Sequence, residues 1–299
     1  MSFSQEVKEE LSRHIGSSRH CQLAEIAAIV SSVGNIEVAE GRAVSLSLQT
    51  DNELVIRKFF TLLRKAFNIG SDKPALEDAG QIETVLKAIK MIDLDGRLRD
   101  LSEGTSPMVT RNSCCKRAFL RDSFLCLGSI SDPNKGYHLE FVCNHENQAT
   151  FLKNLIESFD IEARIVMRKR YYVLYMKEGA GIVDLLNIME APVSLMNLEN
   201  LRIVKEMRNS INRRVNCEVA NITKTVNAAT KQIEDITFIK DHYGFSKLQE
   251  SLRQMAEVRL EHPDATLVEL GKFLDPPVGK SGVNHRLRKL SELADKIRS

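Results

Sequence analysis

Eleven residues near the C-terminus, Lys280 to Leu290, carry Lys280, Ser281, Asn284, His285, Arg286, Arg288 and Lys289 and no acid. These are side chains that grip a polyanion. A lysine ammonium is a point charge for phosphate, and serine and arginine hydrogen-bond base edges or phosphates. His285 by itself distinguishes nothing, because a lone histidine is ordinarily a surface residue. No bond-making motif accompanies the set: the chain has no phosphate-binding Walker loop, no G-x-S-x-G and no H-E-x-x-H. Asp93, Asp95 and Gly96 in MIDLDGRLRD open like a calcium loop, but the run of oxygen ligands does not continue, so the segment reads as a turn.

The basic residues need a helix to present them. At 3.6 residues per turn, Val283, Leu287, Leu290, Ala294 and Ile297 form one apolar stripe. Ser281, His285, Arg288, Lys289 and Glu292 then face outward, with Gly282 and Arg286 on the flanks. Ser281 is the expected N-cap. Upstream, Thr266-x-x-Glu269 is a capping-box pattern that opens a short helix. Gly271 lies inside that helix at a cost of about 1 kcal/mol relative to alanine, which points to a close packing contact. A helix over 247–261, with Leu248, Leu252, Met255, Ala256 and Leu260 inward, precedes it. The turn is Asp275–Pro276–Pro277–Val278–Gly279. The segment Thr266 to Ile297 thus has the pattern of a helix-turn-helix, whose second helix leads into a groove with its N-terminal residues.

The longer front part is built twice. Helical spacing over 21–33 ends at Gly34, alternation over Val44–Leu48 predicts a strand, and 52–69 returns to helical spacing. About ninety residues on, a helix Arg117–Leu127 ends at Gly128. A strand Tyr137–Cys143, a helix Gln148–Phe159, strands Ala163–Met167 and Tyr171–Met176 and a helix Ile182–Met189 follow. Glu53 answers Glu146, and Phe67–Asn68–Ile69 answers Phe159–Asp160–Ile161. One such unit cannot cover its own sheet, whereas two packed about a pseudo-twofold axis can. A short amphipathic helix over 4–16 precedes them. Arg164, Arg168, Lys169 and Arg170 read as a strand edge kept charged against sheet-to-sheet pairing.

Net charge is only +2, yet from Asn200 onward there are 18 Lys+Arg against 13 Asp+Glu. Polyanion binding therefore belongs at the C-terminal end. The segment 197–227 carries seven asparagines and the basic residues Arg202, Lys205, Arg208, Arg213 and Arg214. It reads as a partly helical connector, with Arg213 and Arg214 as candidate contacts to a DNA backbone. Cys21, Cys114, Cys115, Cys126, Cys143 and Cys217 form no C-x-x-C pair and read as reduced thiols acting as small hydrophobes, not as disulfides or zinc ligands. No apolar run is long enough to span a bilayer.

The tracts VNCEVANITKTVNAATKQIEDI (215–236) and DPPVGKSGVNHRLRKL (275–290) resemble the WhiA family of bacterial DNA-binding regulators, and the resemblance extends over nearly the whole chain. The duplicated part resembles a LAGLIDADG homing-endonuclease scaffold. In that scaffold two paired helices each end in an acid followed by glycine, and the two carboxylates hold divalent metal at the scissile phosphates. With Gly34 and Gly128 as the closing glycines, the acid positions hold Val33 and Leu127, and the earlier ones hold Ser31 and Leu125. A hydrocarbon side chain cannot ligate magnesium. Glu25 and Asp122 lie too far upstream to substitute. Ala27, Ala28, Ser31, Ser32 and Cys126 remain as small residues where the helices would touch.

The expected fold is α+β: a helix over 1–19, a degenerate LAGLIDADG-like domain over 20–195 with repeats 20–104 and 105–195, a connector over 196–227, and an all-α helix-turn-helix domain over 228–299. The expected function is non-enzymatic, sequence-specific binding of double-stranded DNA, without cofactor or metal, in the cytoplasm on the nucleoid. The resemblance implies roles in cell division, chromosome segregation and transcription regulation, with other regulatory or cell-division proteins as further partners. An active metal-dependent homing endonuclease and a non-catalytic protein- or ligand-binding module are the alternatives.

Overall fold

A computed structural model describes residues 2–39, 42–70, 75–92, 98–99 and 105–299. The chain divides into two units, Met1–Lys205 and Glu206–Ser299. The calcium-loop-like residues Asp93, Asp95 and Gly96 and the expected repeat boundary at 104 lie outside the described residues.

In the first unit α1 (Phe3–Arg13) starts on Ser2, whose hydroxyl accepts the Gln5 N–H. The first repeat runs α2 (Arg19–Val33), β1 (Gly34–Ala39), β2 (Arg42–Leu48), α3 (Glu53–Phe67), β3 (Ala75–Leu76) and α4 (Ala79–Ala88). After a 3₁₀ turn at Pro107–Thr110 the second runs α5 (Ser113–Leu127), β4 (Gly128–Ile130), β5 (Leu139–Cys143), α6 (Glu146–Glu157), β6 (Arg164–Arg168), β7 (Tyr171–Met176) and α7 (Gly179–Ile188). The antiparallel sheets are ordered β1-β2-β3 and β4-β5-β7-β6. In both, the closing glycine begins the first strand, with Gly34 opposite Leu48 and Gly128 opposite Phe141. β6 is an edge strand, as its charges require: Arg164 pairs with Glu162 at 2.9 Å and Arg168 with Glu140 at 3.4 Å. α4 lies outside the elements expected from the sequence, although Ile82, Val85, Leu86 and Ile89 recur at helical spacing and are buried.

The duplication is also written in the backbone. Asn68 (φ 57°) and Asp160 (φ 61°) follow α3 and α6 in the left-handed region, and Lys90 (φ 62°) and Glu190 (φ 63°) follow α4 and α7 there. The Met91 N–H reaches the Leu86 carbonyl at 2.9 Å, and the Ala191 N–H reaches Leu186 at 3.0 Å. Both bonds close the helix end over the left-handed residue and satisfy a carbonyl that the helix leaves unpaired.

α2 and α5 pair at the centre of this unit, and the pair encloses charge. Arg121 is 1% exposed; its guanidinium reaches Glu25 at 2.6 Å, the Met189 carbonyl at 3.5 Å and the Glu190 carboxylate. Both Glu25 oxygens accept the Gly16 N–H, at 3.1 and 3.2 Å. Beside them Lys58 lies 2.8 Å from Asp122, both fully buried, and donates to the Leu11 carbonyl at 3.1 Å. The Lys58–Asp122 contact misses hydrogen-bond alignment, and neither Asp122 oxygen has another partner. Burial therefore outweighs the attraction of Lys58 and pushes the Asp122 carboxyl up to about 7.

The segment read as a partly helical connector is helical throughout. Residues 196–227 lie inside α8 (Pro192–His242), a helix of 51 residues. No glycine or proline interrupts it after Pro192, and Thr223 and Thr225 turn their hydroxyls onto the Val219 and Asn221 carbonyls at 2.9 Å. Glu10 on α1 caps its start, accepting the N–H groups of Val193 at 2.8 Å and Ser194 at 2.9 Å.

Asp122→Ala is expected to strand the Lys58 ammonium in the core and cost about 3–5 kcal/mol in urea unfolding, while Lys58→Met with Asp122→Leu should restore most of it. A double variant no better than the single one would refute a charge origin. The raised carboxyl also sets a pH dependence. Its contribution is fully present below about pH 4, the unfolded value, and is lost as pH rises through the folded value near 7. Asp122→Asn should flatten that slope.

Candidate nucleic-acid interface

The second unit packs the end of α8 against three further helices: α9 (Glu250–Glu261), α10 (Leu267–Phe273) and α11 (Lys280–Arg298). Ile236 and Ile239 from α8, Met255 and Ala256 from α9, Leu270 from α10, and Val283, Leu287, Leu290 and Ala294 from α11 share one core. Arg298 ties α11 back to α8, reaching the buried Asp235 at 2.7 Å.

Two local devices set the turn. The Thr266 N–H donates to Glu269 Oε2 at 2.8 Å, and the Glu269 N–H donates to Thr266 Oγ1 at 3.4 Å, completing the capping box. These bonds, the backbone one first, hold the Glu269 carboxyl below its ordinary value. After α10 the chain doubles back, and the Val278 N–H reaches the Gly271 carbonyl at 2.9 Å. A Cβ on Gly271 would stand 2.0 Å from the Val278 carbonyl oxygen. The close contact expected at Gly271 is therefore backbone against backbone. Gly282 faces the same residue, and a Cβ there would meet Val278 Cγ1 at 2.3 Å.

Ser281 does not cap α11. Gly279 is the N-cap, with extended backbone (φ −68°, ψ 163°), and Ser281 sits within the first turn. The helix starts earlier than the serine because the turn is already closed at Val278 by its bond to Gly271. The apolar stripe is inward as predicted, with Ile297 only partly buried. Lys280, Ser281, Asn284, His285, Arg288 and Lys289 are all exposed. Arg286 is half-buried and turned toward the Ser251 carbonyl on α9 at 3.5 Å, and Gly282 is half-buried. Arg288 meets Glu292 one turn on, at 3.2 Å. Arg213 and Arg214 are exposed on α8, Arg213 bonding the Asn209 carbonyl at 3.3 Å. Sequence reasoning missed Arg259, buried on α9, which donates to the Ala265 carbonyl at 2.7 Å.

In the first unit Val33 and Leu127 end α2 and α5, each directly before its closing glycine, and both are half-buried. A Cβ on Gly34 would lie 2.4 Å from the Val30 carbonyl oxygen, and one on Gly128 2.2 Å from the Phe124 ring. Each closing glycine thus lies against its own helix four residues back, where a side chain would not fit. Glu25 and Asp122 face buried cations within the helix pair. The structure also gathers His20 with Cys21, Cys114 and Cys115, three of the cysteines expected to act only as small hydrophobes. No motif spacing could have announced this cluster, because half of it comes from each repeat.

Fold and site define a helix-turn-helix protein with a duplicated LAGLIDADG-like body. Comparison with known families matches residues 19–73 to the WhiA N-terminal LAGLIDADG-like domain, 116–208 to the WhiA LAGLIDADG-like domain and 211–294 to the WhiA C-terminal HTH domain. A "Probable cell division protein WhiA" of Lachnoclostridium phytofermentans is 52% identical over 100% of both chains. One of Alkaliphilus oremlandii is 45% identical over 99% of this chain and 98% of its own. The crystal structure of full-length WhiA from Thermatoga maritima shares the fold, with a TM-score of 0.59 over 99% of each chain at 24% identity. The chain belongs to the WhiA family.

Gly271→Ala should destabilise the second unit by about 1–3 kcal/mol, since the backbone against it cannot yield as a flexible side chain would. Thermal unfolding of the full chain followed by circular dichroism checks this, and an unchanged transition would remove the turn contact from the account.

Proposed function

We propose that this chain is a sequence-specific double-stranded-DNA-binding protein that acts in cell division, with α11 as its reading helix and without nuclease activity. The observation that carries the reading is the leading half of α11. Six polar or basic side chains there are exposed on the side away from Val283, Leu287 and Leu290, and no acid lies before Glu292. A helix N-terminus adds its own partial positive charge toward phosphate. Arg288 and Lys289 supply the main base and phosphate contacts, with Lys280, Ser281, Asn284 and His285 beside them. Arg286 and Gly282 set the approach from the flank, and Arg213 and Arg214 are candidate backbone contacts. The family domain and the cell-division names of the relatives support the role. Chromosome segregation and transcription control, with other regulatory or division proteins as partners, are the finer reading. Among the described residues no helix is long and apolar enough to cross a membrane, and the proposed location is the cytoplasm, on the nucleoid.

The absence of cutting is proposed on chemical grounds. Val33 and Leu127 offer no ligand atom, and Glu25 and Asp122 are held by Arg121 and Lys58. A magnesium ion placed there would have to displace two buried cations.

Arg288→Ala is expected to cost about 1–3 kcal/mol in binding and relax preference at one base pair. Lys289→Ala should weaken all sequences alike and reduce the salt slope by about 0.9. Glu292→Gln, which frees Arg288 from its partner, should tighten binding. Fluorescence anisotropy against a randomised duplex library, followed by salt titration, measures all three, and an unaltered Arg288→Ala profile would remove that residue from the reading face. Supercoiled DNA incubated with the protein and magnesium should stay uncut. Chelator-sensitive cutting that survives stringent purification would overturn the non-catalytic reading.

A further inference from the structure

The first turns of α2 and α5 bring together four metal-ligating side chains that neither the proposed DNA site nor the buried ion network uses. His20 and Cys21 come from α2, Cys114 and Cys115 from α5. Their ligand atoms all lie within 4.8 Å of one another. His20 Nδ1 is 3.2 Å from Cys115 Sγ, 3.3 Å from Cys21 Sγ and 3.9 Å from Cys114 Sγ. A tetrahedral zinc ion with its usual bond lengths sets nitrogen–sulfur edges of about 3.6 Å and sulfur–sulfur edges of about 3.8 Å. One imidazole nitrogen facing three thiols at these separations is the donor set of a closed structural zinc site.

We propose that His20, Cys21, Cys114 and Cys115 bind one zinc ion that staples the two repeats together at the start of their paired helices. Three thiolates, a neutral imidazole and a divalent ion leave a net charge of −1. That charge falls on two helix N-termini, where partial positive charge collects. Neither N-cap competes for it: Ser18 and Asn112 make no side-chain bond to their own first turns. Cys21 and Cys115 are buried while His20 and Cys114 are exposed, so the ion has two fixed ligands and an open side for entry. Nitrogen and soft sulfur donors in tetrahedral array select zinc over magnesium or calcium. The site lies at the opposite end of the helix pair from Val33 and Leu127, so it has no connection with the scaffold's lost acids.

The test uses the full chain, made without a histidine tag, reduced under anaerobic conditions, stripped by chelator and titrated with zinc against a chromophoric chelator. Elemental analysis should find about one zinc per chain, and cobalt in its place should give the intense visible absorption of a tetrahedral thiolate site. Cys114→Ser and His20→Gln, both at exposed positions, should weaken zinc binding by more than about 100-fold with far-ultraviolet circular dichroism unchanged. Cys217→Ser, exposed on α8, should bind as the parent does. Zinc should raise the unfolding temperature of the parent chain and leave that of Cys114→Ser unmoved. Equal metal retention by the variants, octahedral cobalt, or a reduced chain that takes no zinc and instead closes a disulfide on exposure to air would each overturn the proposal.

Discussion

Arg121 and Glu25 meet at 2.6 Å in the middle of the first unit, their side chains 2% and 0% exposed, and the surrounding architecture supplies the pair with further partners, leaving the buried Arg121 Nε without one. Taking such ions out of water costs several kcal/mol each, and mutual attraction offsets this only when the remaining donors and acceptors also find partners. The partners come from far along the chain. The Gly16 N–H fixes the segment between α1 and α2 over Glu25, and the Met189 carbonyl and Glu190 fix the end of α7 over Arg121. Lys58 pulls α3 toward Asp122 and the end of α1. Two neighbouring buried ion pairs thus have consequences for five helices.

The network also distinguishes the two repeats. Counted back from the closing glycines, Arg121 and Asp122 on α5 correspond to Ala27 and Ala28 on α2, while Glu25 on α2 corresponds to Phe119 on α5. The small residues of one helix leave room for the charges of the other. A pair of duplicated helices with identical faces could slide or exchange partners at little cost. A buried cation with its anion on the opposite helix admits one register, because every alternative leaves an ion without a partner.

What was legible in the sequence was local. Period-two alternation found β2 and β5, and closing glycines fixed the ends of α2 and α5, because these signals act within a few residues. The left-handed Asn68 and Asp160 were visible as matching tripeptides, although their backbone role was not. The capping box and the Gly271 contact could be read for the same reason. The N-cap of α11 was misassigned to Ser281 because a hydroxyl is the usual cap, whereas here a backbone bond from Val278 closes the turn two residues sooner. The ion network and the thiol cluster could not be read at all. Glu25 and Arg121 are 96 residues apart, and His20 and Cys115 are 95 apart. Nothing in local spacing encodes a pairing that depends on how two repeats meet.

The paired helices now separate three kinds of polar chemistry along their length. At one end Val33 and Leu127 are half-buried hydrocarbon, each directly before its closing glycine. In the middle every buried acid faces a buried cation. At the other end three thiols and an imidazole crowd together. An acid pair that grips magnesium must be open to solvent and to a phosphate, so it weakens the packing that surrounds it. With hydrocarbon at Val33 and Leu127 that end packs partly against the core, and the interior charges align the repeats. The proposed reading helix, α11, answers to a different constraint. Its exposed basic face contributes nothing to its own fold, so α11 is held instead by the Gly271 turn, the apolar stripe and the Arg298–Asp235 tie. Residues that position the helix and residues that face outward are thereby separate sets, and the fold places no packing demand on the outward set.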